Sequence, residues 1–372
     1  MNQTARIAIG IGLFLIAVIA VVAFKYMGGD GSSVVGTTFT RTCANPITVT
    51  GYYGGEKSSF LKDPEVQQIL KDRYCIVVNG KKSGSTEMVR DIPLTPQDDF
   101  LWPSNMVSLA LYKERGGAIE GYANIFNSPL VLYSHKPIVD ALIKEGIVAK
   151  QDETYYVVDF PKLIDYVRQG KTWKDIGLPM MAGSMSIHTT DPLYSNSGFM
   201  TAGLIATVLN NGNLPNEAAV RAHMPALVEF FRRGFMDQSS GDLFQQYLTT
   251  GMGAKPLVAG YESQLIEFKI SRPDLRAQID GQYVTLYPVP TVWSSHPLIA
   301  RTSNGKKLLE ALKDEDLQRI AWTKHGFRSG LVGAANDPKL LGMKDVPADI
   351  TAVADMPSPG VMELILQALA GK

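Results

Sequence analysis

Short apolar strands and amphipathic helices alternate along most of this chain, and this order limits the possible folds more than any other feature. Ile47–Tyr53 has strand character, and Lys62–Arg73 has helical spacing with Pro64 in its first turn. The same order recurs at Pro129–Tyr133, which precedes a helix-like segment that ends at Gly146. Strands that alternate with helices of this length indicate βαβ units and mainly parallel sheets. The sequence therefore predicts an α/β protein.

Three later segments extend this pattern. Met185–His188 is predicted to be a strand, and the nearly uncharged Gly198–Leu209 is predicted to be a buried helix. Leu308–Trp322 has the spacing of one further helix. We therefore expect strands and helices to alternate far into the C-terminal half.

The size and charge of the chain restrict its function. At 372 residues it exceeds the length over which one hydrophobic core keeps growing, so we expect two lobes. Lys plus Arg and Asp plus Glu each total 36, so no net field favours nucleic acid or an anionic surface. Nucleic-acid binding is therefore not predicted.

The first 30 residues differ from the rest. Ile7–Phe24 runs for 18 residues without a charge, between Arg6 and Lys25. A helix needs roughly 17–25 apolar residues to span a bilayer, and no A-x-A exit or lipid-accepting cysteine follows. We expect residues 1–30 to be a retained signal anchor, with a cleaved signal peptide or a buried core helix as alternatives. The large body would then face the periplasm or the outside of a single-pass inner-membrane protein.

Two cysteines, Cys43 and Cys75, lie 32 positions apart and form no C-x-x-C motif. In an oxidising compartment they could form a disulfide, and two buried free thiols are the alternative. They lack nearby His or Cys companions, and none of the five histidines has the spacing of metal ligands. No metal and no cofactor are predicted.

Glycine-containing polar loops stand where strands end or helices begin. They are Gly54–Ser59, Lys82–Thr86 and Tyr194–Gly198, and a fourth candidate is Gly260–Ser263. Backbone N–H groups and helix dipoles make such loops natural anion sites in α/β sheets. The alternative for each loop is that its Ser, Thr or Asn only caps a helix. In the fourth loop, Glu262 could bind an amine or simply begin a helix.

Taken in order, the turn GGEK, the loop KSGST, and the segments YSNSG, GYES and TLYPVPTVWSSHPLIA resemble the bacterial extracellular solute-binding proteins of the type-2 periplasmic-binding fold. The resemblance spans about residues 45–330. It implies two Rossmann-like α/β lobes, with a ligand cleft between them and crossovers near Asn127–Val131 and Tyr287–Thr291. The first lobe would comprise residues 45–129 and 289–372, the second residues 130–288, after a linker at 31–44.

The resemblance also implies which side chains line the cleft. The predicted ligand-binding residues are Gly55, Glu56, Ser83, Gly84, Ser85, Ser195, Asn196, Ser197 and Tyr261. The ligand would be a small polar or anionic solute, held by neutral N–H and O–H donors. The chain departs from the family at Gly54–Gly55, where many relatives carry a hydroxyl. Its retained anchor is a second departure.

The leading functional hypothesis is a membrane-tethered extracytoplasmic solute-binding protein that serves an ABC-type transporter permease. The alternative is a tethered sensor or assembly module that acts on a membrane protein partner such as a signalling protein. A remote alternative is a serine hydrolase of the penicillin-recognising type, from Ser59–Lys62, Ser195–Ser197 and Lys324–Gly326. Pro64 lies one turn after the supposed nucleophile, which argues against it. We therefore predict no enzyme and no catalytic residue.

Overall fold

The protein is represented by a computed structural model that describes residues 43–233, 236–334 and 336–371. The strands are β1 (Ile47–Tyr53), β2 (Ile76–Lys82), β3 (Phe100–Trp102), β4 (Gly121–His135), β5 (Val148–Gln151), β6 (Tyr155–Asp159), β7 (Thr189–Thr190), β8 (Met236–Asp237), β9 (Leu257–Tyr261), β10 (Tyr283–Val289), β11 (Trp293–Ala300) and β12 (Arg328–Ser329). The predicted anchor at residues 1–30 lies outside the described residues. Within them, no helix combines the length and apolarity that a membrane crossing requires.

Helices lie between and after these strands. They are α1 (Ser58–Lys62), α2 (Pro64–Tyr74), α3 (Ser85–Arg90), α4 (Met106–Glu114), α5 (Lys136–Lys144), α6 (Phe160–Arg168), α7 (Asn196–Leu209), α8 (Glu217–Arg233), α9 (Ser240–Thr250), α10 (Glu262–Ser271), α11 (Arg276–Gln282), α12 (Ser303–Ala311), α13 (Glu315–His325) and α14 (Pro359–Ala370). Proline follows the N-cap of several, as at Asp63 before α2, because its fixed φ suits the first turn.

Ten of the described strands form two sheets that share β4, and β7 and β8 form a separate two-stranded sheet. The first sheet has the order β2-β1-β3-β11-β4-β12, and the second has the order β9-β4-β10-β6-β5. In the first, β1 runs parallel to β2 and β3, whereas β11, β4 and β12 pair antiparallel. In the second, β10 is parallel to β6, and the other pairs are antiparallel. The α/β class is confirmed, but the sheets are mixed rather than mainly parallel, because the crossover strands enter each from the opposite direction.

Two stretches of chain carry the backbone from one sheet to the other. The first is β4, which pairs with β11 through Pro129 and with β9 from Leu130 onward. The second is the short connection from β10, in the second sheet, to β11, in the first. The two crossovers touch where the Leu130 backbone N–H donates to the Val292 carbonyl at 3.0 Å. They form the hinge of a two-lobed body.

The C-terminal segment does not stay with the first lobe. Its helix α14 buries Val361, Ile365 and Leu369 in the apolar core of the second lobe, where they pack with α8. Before it, Thr291 exchanges backbone hydrogen bonds with Ala352 and Ala354. The second part of the first lobe, predicted as residues 289–372, therefore ends before α14, because the apolar stripe of this helix matches the second core.

Two local predictions are corrected. The single helix expected at Leu308–Trp322 is two helices, α12 and α13, because Asp314 accepts from two N–H groups and starts a new helix. The strand expected at Met185–His188 reduces to one bridge, in which His188 exchanges backbone hydrogen bonds with the β9 segment. In its place, β7 follows directly and pairs with β8.

Cys43 and Cys75 are joined by a disulfide, with their Cα atoms 5.4 Å apart. Cys75 ends α2 in the left-handed conformation, with φ at 60°. Its carbonyl accepts from the Ile47 backbone N–H at 2.8 Å, at the start of β1. The bond therefore fastens the chain before β1 to the end of α2.

Candidate functional site

A polar cleft of about 320 Å³ opens between the two lobes. Loops from both sheets meet there, at the ends of β1, β2, β8 and β9. Its walls contain Gly54, Gly55, Glu56, Lys82, Ser83, Gly84, Ser85, Tyr194, Ser195, Asn196, Gln238, Ser239, Ser240, Gly241, Tyr261 and Gln264. Apart from Ser197, the structure brings all the predicted ligand-binding residues together in this cleft.

The Gly54–Gly55 turn after β1 forms one wall of the first lobe. A Cβ atom on Gly54 would lie 2.3 Å from the Ser104 hydroxyl oxygen, and one on Gly55 would lie 2.1 Å from the Lys82 side chain. The Gly54 approach leaves room for the Ser104 hydroxyl, the Glu56 carboxylate and the Lys57 ammonium behind the turn. Ser104, a residue that sequence reasoning did not find, is fully buried there.

Glu56 and Lys57 form a buried ion pair beside this turn. The Lys57 ammonium donates to Glu56 Oε1 at 2.6 Å and to the Ser104 hydroxyl at 2.8 Å. It also lies 3.2 Å from His296 Nδ1, so its three donors have three acceptors. Burial alone would raise the pKa of Glu56, but the neighbouring Lys57, His296 and Ser104 groups together outweigh burial and lower that pKa to about 2. The Glu56 carboxylate is therefore ionised.

His296 completes the network from β11. Burial and the neighbouring Lys57 charge hold the pKa of His296 well below its ordinary range, so its ring is neutral. Nδ1 then accepts from Lys57, which leaves Nε2–H to donate to the Ser294 hydroxyl at 3.1 Å. Ser294 donates in turn to the Ser104 carbonyl at 2.8 Å. The position of Glu56 is thus fixed by a connected set of hydrogen bonds.

The loop after β2 forms the second wall of the first lobe. Glu87 accepts from the Ser83 hydroxyl at 2.8 Å and from the Gly84 N–H at 3.0 Å. Both capping contacts at the N-terminus of α3 are therefore made within the loop itself. Ser85 Oγ accepts from the Ser104 N–H at 2.9 Å. Since this contact uses only a lone pair, the Ser85 hydroxyl proton can be donated into the cleft. Ser83 therefore acts as a capping residue, whereas Ser85 keeps a hydroxyl proton for a ligand.

The loop before α7 brings the second lobe to the cleft. Ser195 and Asn196 line it, and the Asn196 amide donates to the Ser104 carbonyl of the first lobe at 2.9 Å. Ser197 is fully buried beneath the wall, where its hydroxyl lies 2.7 Å from Thr190 Oγ1. Ser197 is thus apart from the cleft, because the second residue of α7 points toward β7.

A fourth wall, Gln238–Gly241, was missed by sequence reasoning. It follows the two-residue strand β8 and leads into α9, where Ser239 Oγ accepts from the Asp242 N–H at 3.1 Å. The Ser-Ser-Gly sequence before a helix is the same signal that marked the other loops. It was overlooked because β8 is too short to be detected from its pattern.

Tyr261 and Glu262, adjacent in sequence, have different roles. The buried Tyr261 hydroxyl lines the cleft and lies 2.9 Å from the Asn196 amide. Burial raises the pKa of Tyr261 well above its ordinary value, and the charge of Glu56 adds to this rise. Glu262 instead accepts two hydrogen bonds from the Arg328 guanidinium, at 2.6 and 2.8 Å. Because both Glu262 oxygens accept from Arg328, away from the cleft, Glu262 does not bind an amine of a ligand.

Three helices begin at the cleft, and their first residues Ser85, Asn196 and Ser240 are part of its wall. The N–H groups of a first helical turn lack partners within the helix, and the helix dipole favours negative charge there. The Ser85 and Ser195 hydroxyl groups lie beside these ends, whereas the Ser239 hydroxyl already donates to Asp242 Oδ2 at 2.6 Å. This arrangement can hold an anion with neutral donors.

The three segments expected for a penicillin-recognising hydrolase do not come together in one site. Ser59 is exposed on α1, and Lys324 is ion-paired with Glu65 at 2.7 Å. Neither of them, nor Ser197, lines the cleft. In the part of the chain that the structure describes, no group of three or more His, Cys, Asp or Glu could hold a metal ion.

Comparison with solved structures identifies the fold. A putative extracellular solute-binding protein from Bordetella parapertussis matches with a TM-score of 0.57 and 10% identity, over 88% of this chain and 97% of that one. Iron-bound HitA from Pseudomonas aeruginosa matches with a TM-score of 0.56 and 13% identity, over 87% and 98%. The substrate binding protein of the ABC transporter from Agrobacterium tumefaciens gives 0.55 and 15%, over 88% and 95%.

These likenesses confirm the type-2 periplasmic-binding fold at the level of architecture, since the identities are too low to carry more. No family model matches the sequence, and no curated protein is significantly similar to it. Two of these solved structures are named as binding proteins, the class that the sequence predicts in preference to an enzyme, and the third is named as iron-bound HitA.

Proposed function

Because the chain has the two-lobed fold of periplasmic solute-binding proteins, we propose that it binds a small polar or anionic solute in the cleft between its lobes. The observation that carries this proposal is the convergence of three helix N-termini from both lobes on one cleft of about 320 Å³. Ligand sites in such folds have this size, and fixed N–H and O–H donors give them their specificity.

Binding would act through closure of the lobes. Asn196 and Tyr261 belong to the second lobe, while Glu56, Ser85 and Ser104 belong to the first, and the hydrogen bonds described above connect the two sets. A ligand that contacts both sets binds the closed form more tightly than the open form. It therefore shifts the population toward closure.

The finer proposal is a membrane-tethered binding protein that faces the periplasm and delivers its ligand to an ABC-type transporter permease. The printed name of the Agrobacterium protein, a substrate binding protein of an ABC transporter, supports this role by analogy of fold. A tethered sensor or assembly module, acting on a membrane protein partner through the same closure, is the alternative.

A thermal-shift screen of the full-length chain tests the binding role. The panel comprises inorganic oxyanions, organic acids, amino acids, sugars and nucleotides. A ligand at 100 times its Kd stabilises the folded state by about 2.7 kcal/mol, which gives a clear shift. We expect a saturable shift with one anionic or polar class.

Variants locate the site. Replacing both cleft hydroxyls, Ser85→Ala with Ser195→Ala, should weaken binding at least about tenfold, because each removes a donor from a desolvated ligand. Ser59→Ala, on the exposed face of α1, is the matched control and should bind as the wild type does. A flat response to the whole panel, in folded and ligand-free protein, would refute the solute-binding proposal.

A further inference from the structure

Glu56 brings a carboxylate to the wall of a cleft whose other described side chains are uncharged apart from Lys82. Glu56 Oε1 accepts from Lys57 at 2.6 Å and from the Ser104 hydroxyl, and His296 Nδ1 lies 3.6 Å away. No described side chain or backbone group donates to the other oxygen, Oε2, although Glu56 belongs to the cleft wall. The carboxylate is thus fixed through one oxygen and offers the second to a ligand.

The cation that balances Glu56 is hidden from the ligand. Lys57 is fully buried, and its ammonium is surrounded by Glu56, Ser104 and His296. A ligand in the cleft therefore meets an acceptor oxygen and not the ammonium group. Lys82, on the rim, is the cationic side chain of the described cleft wall that a ligand can reach.

An acceptor of this kind discriminates between anions. A fully deprotonated oxyanion such as sulfate would place its own lone pairs against Glu56 Oε2, with no proton between them. Such a juxtaposition disfavours binding, whereas an N–H or O–H donor of the ligand would form a charge-assisted hydrogen bond there. The remaining donors of the cleft would still require a negative group at the other end of the ligand.

The dimensions of the cleft point the same way. Its volume of about 320 Å³ persists although Asn196 and Ser104 already connect the lobes. This volume lies within the range of small-molecule sites, roughly 300–1,000 Å³. This space is suited to a small organic molecule with two different polar ends.

We propose, on the basis of the solute-binding function above, that the cleft selects a small anion that also carries a hydrogen-bond donor, and that Glu56 receives this donor. The donor is an ammonium group or a protonated oxygen. The anionic group of the ligand lies between the Ser85 hydroxyl and the N-termini of α7 and α9. Glu56 is therefore the specificity-determining residue of the cleft.

Matched ligand pairs test this selection in the full-length wild-type protein. Taurine is compared with ethanesulfonate, β-alanine with propionate, glycine with acetate, and hydrogen phosphate with sulfate. We expect the donor-bearing member of a pair to bind at least about tenfold more tightly, by calorimetry. A preference within the amine pairs identifies an ammonium donor, and a preference for phosphate alone identifies a protonated oxygen.

The Glu56→Gln variant tests the residue itself. It keeps the side-chain volume and an oxygen for Lys57 and Ser104, but presents N–H groups where Oε2 stood. We expect its preference within the pair to fall at least about tenfold or to reverse, while a general loss of folding would weaken both members equally. Glu310→Gln is the control of equal charge change, since Glu310 is exposed on α12 and pairs with Lys313.

Each outcome decides the matter. Equal or tighter binding of the donor-lacking member by the wild type overturns the role of Glu56 and leaves the solute-binding function intact. Binding of no member of the pairs or of the wider panel overturns the solute-binding function as well. If Glu56→Gln does not fold, the wild-type comparison of the matched pairs remains sufficient.

Discussion

The side-chain amide of Asn196, in the second lobe, donates to the backbone carbonyl of Ser104, in the first lobe, at 2.9 Å. The Asn196 carbonyl in turn accepts from the Asn105 amide, and the Asn196 amide also lies 2.9 Å from the Tyr261 hydroxyl. These groups are buried, so each hydrogen bond between the lobes is made away from water. One side chain at the start of α7 thus holds the two lobes together at the floor of the cleft.

We predict that Asn196→Ala weakens ligand binding by about tenfold or more. The substitution leaves the Asn105 side-chain NH2 without its acceptor and removes one of the two side-chain donors to the Ser104 carbonyl, so the closed form is destabilised relative to the open one. The change should appear as a faster ligand off-rate in stopped-flow measurements. Asn210→Ala, at the other end of α7, is the matched control. Equal off-rates for wild type and Asn196→Ala would show that this bridge does not control closure.

Local patterns predicted those parts of the site that depend on local structure. β1 was predicted with its observed bounds, and the loops after β1 and β2 and before α7 do reach the cleft. Each combines an apolar run with glycine and hydroxyl residues, and nearby sequence determines this behaviour. Ser104 and Asn105 carry no such signal, because their contacts with Lys57 and Asn196 join positions 47 and 91 residues apart.

Helix α14 shows a second limit. This helix was not predicted, and its apolar stripe does not encode which lobe will bury it. Burial against α8 was decided by the path of residues 336–358, which carries the chain past the hinge at Thr291. Assignment of a C-terminal segment to a lobe therefore needs the tertiary structure.

We predict that Arg328→Met destabilises the protein by about 3–5 kcal/mol. Arg328 and Glu262 form a buried, two-bond ion pair, and the Tyr287 hydroxyl donates to the same carboxylate at 2.8 Å. Arg328 also donates to the Pro347 and Ala348 carbonyls, so its loss leaves a charge and several acceptors buried without partners. The free energy of unfolding in urea measures the change.

Two further variants separate pairing from general damage. Arg319→Met removes an exposed guanidinium from α13 and should change the free energy of unfolding by no more than about 0.5 kcal/mol. The double variant Glu262→Gln with Arg328→Met should lose less free energy of unfolding than the two single variants lose together. Each single variant leaves one buried charge unpaired, whereas the double variant leaves none. Strict additivity would contradict the coupling of these two residues.

We predict that loss of the Cys43–Cys75 disulfide lowers the free energy of unfolding by about 3–4 kcal/mol. The bond closes a loop with a sequence separation of 32 residues, and the loss of this closure returns entropy to the unfolded chain. Denaturant midpoints with and without a reductant give the measurement. The Cys43→Ser with Cys75→Ser variant should have the same denaturant midpoint as the reduced wild type, and the reductant should not change that midpoint. A wild type that is equally insensitive would show that the bond contributes nothing.

The pH dependence of stability should depend on His188. Burial and the charge of Lys255 together, against the opposing charge of Asp237, lower the pKa of His188 from its ordinary 6.5 to about 4. Below pH 6.5 the unfolded chain takes up a proton at this histidine, whereas the folded protein does not until the pH approaches 4. Acidification therefore stabilises the unfolded state relative to the folded one, and the free energy of unfolding falls from pH 6.5 to pH 4.

We predict that His188→Gln removes this part of the acid sensitivity, about 3 kcal/mol at most over that window. The measurement is the free energy of urea unfolding from pH 8 to pH 4 for wild type and variant. Other groups that titrate in this range are common to both proteins, so they cancel in the difference. The difference should be constant above about pH 7 and should shift in favour of the variant as the pH falls. A difference that stays constant down to pH 4 would show that His188 is protonated equally in the folded and unfolded states.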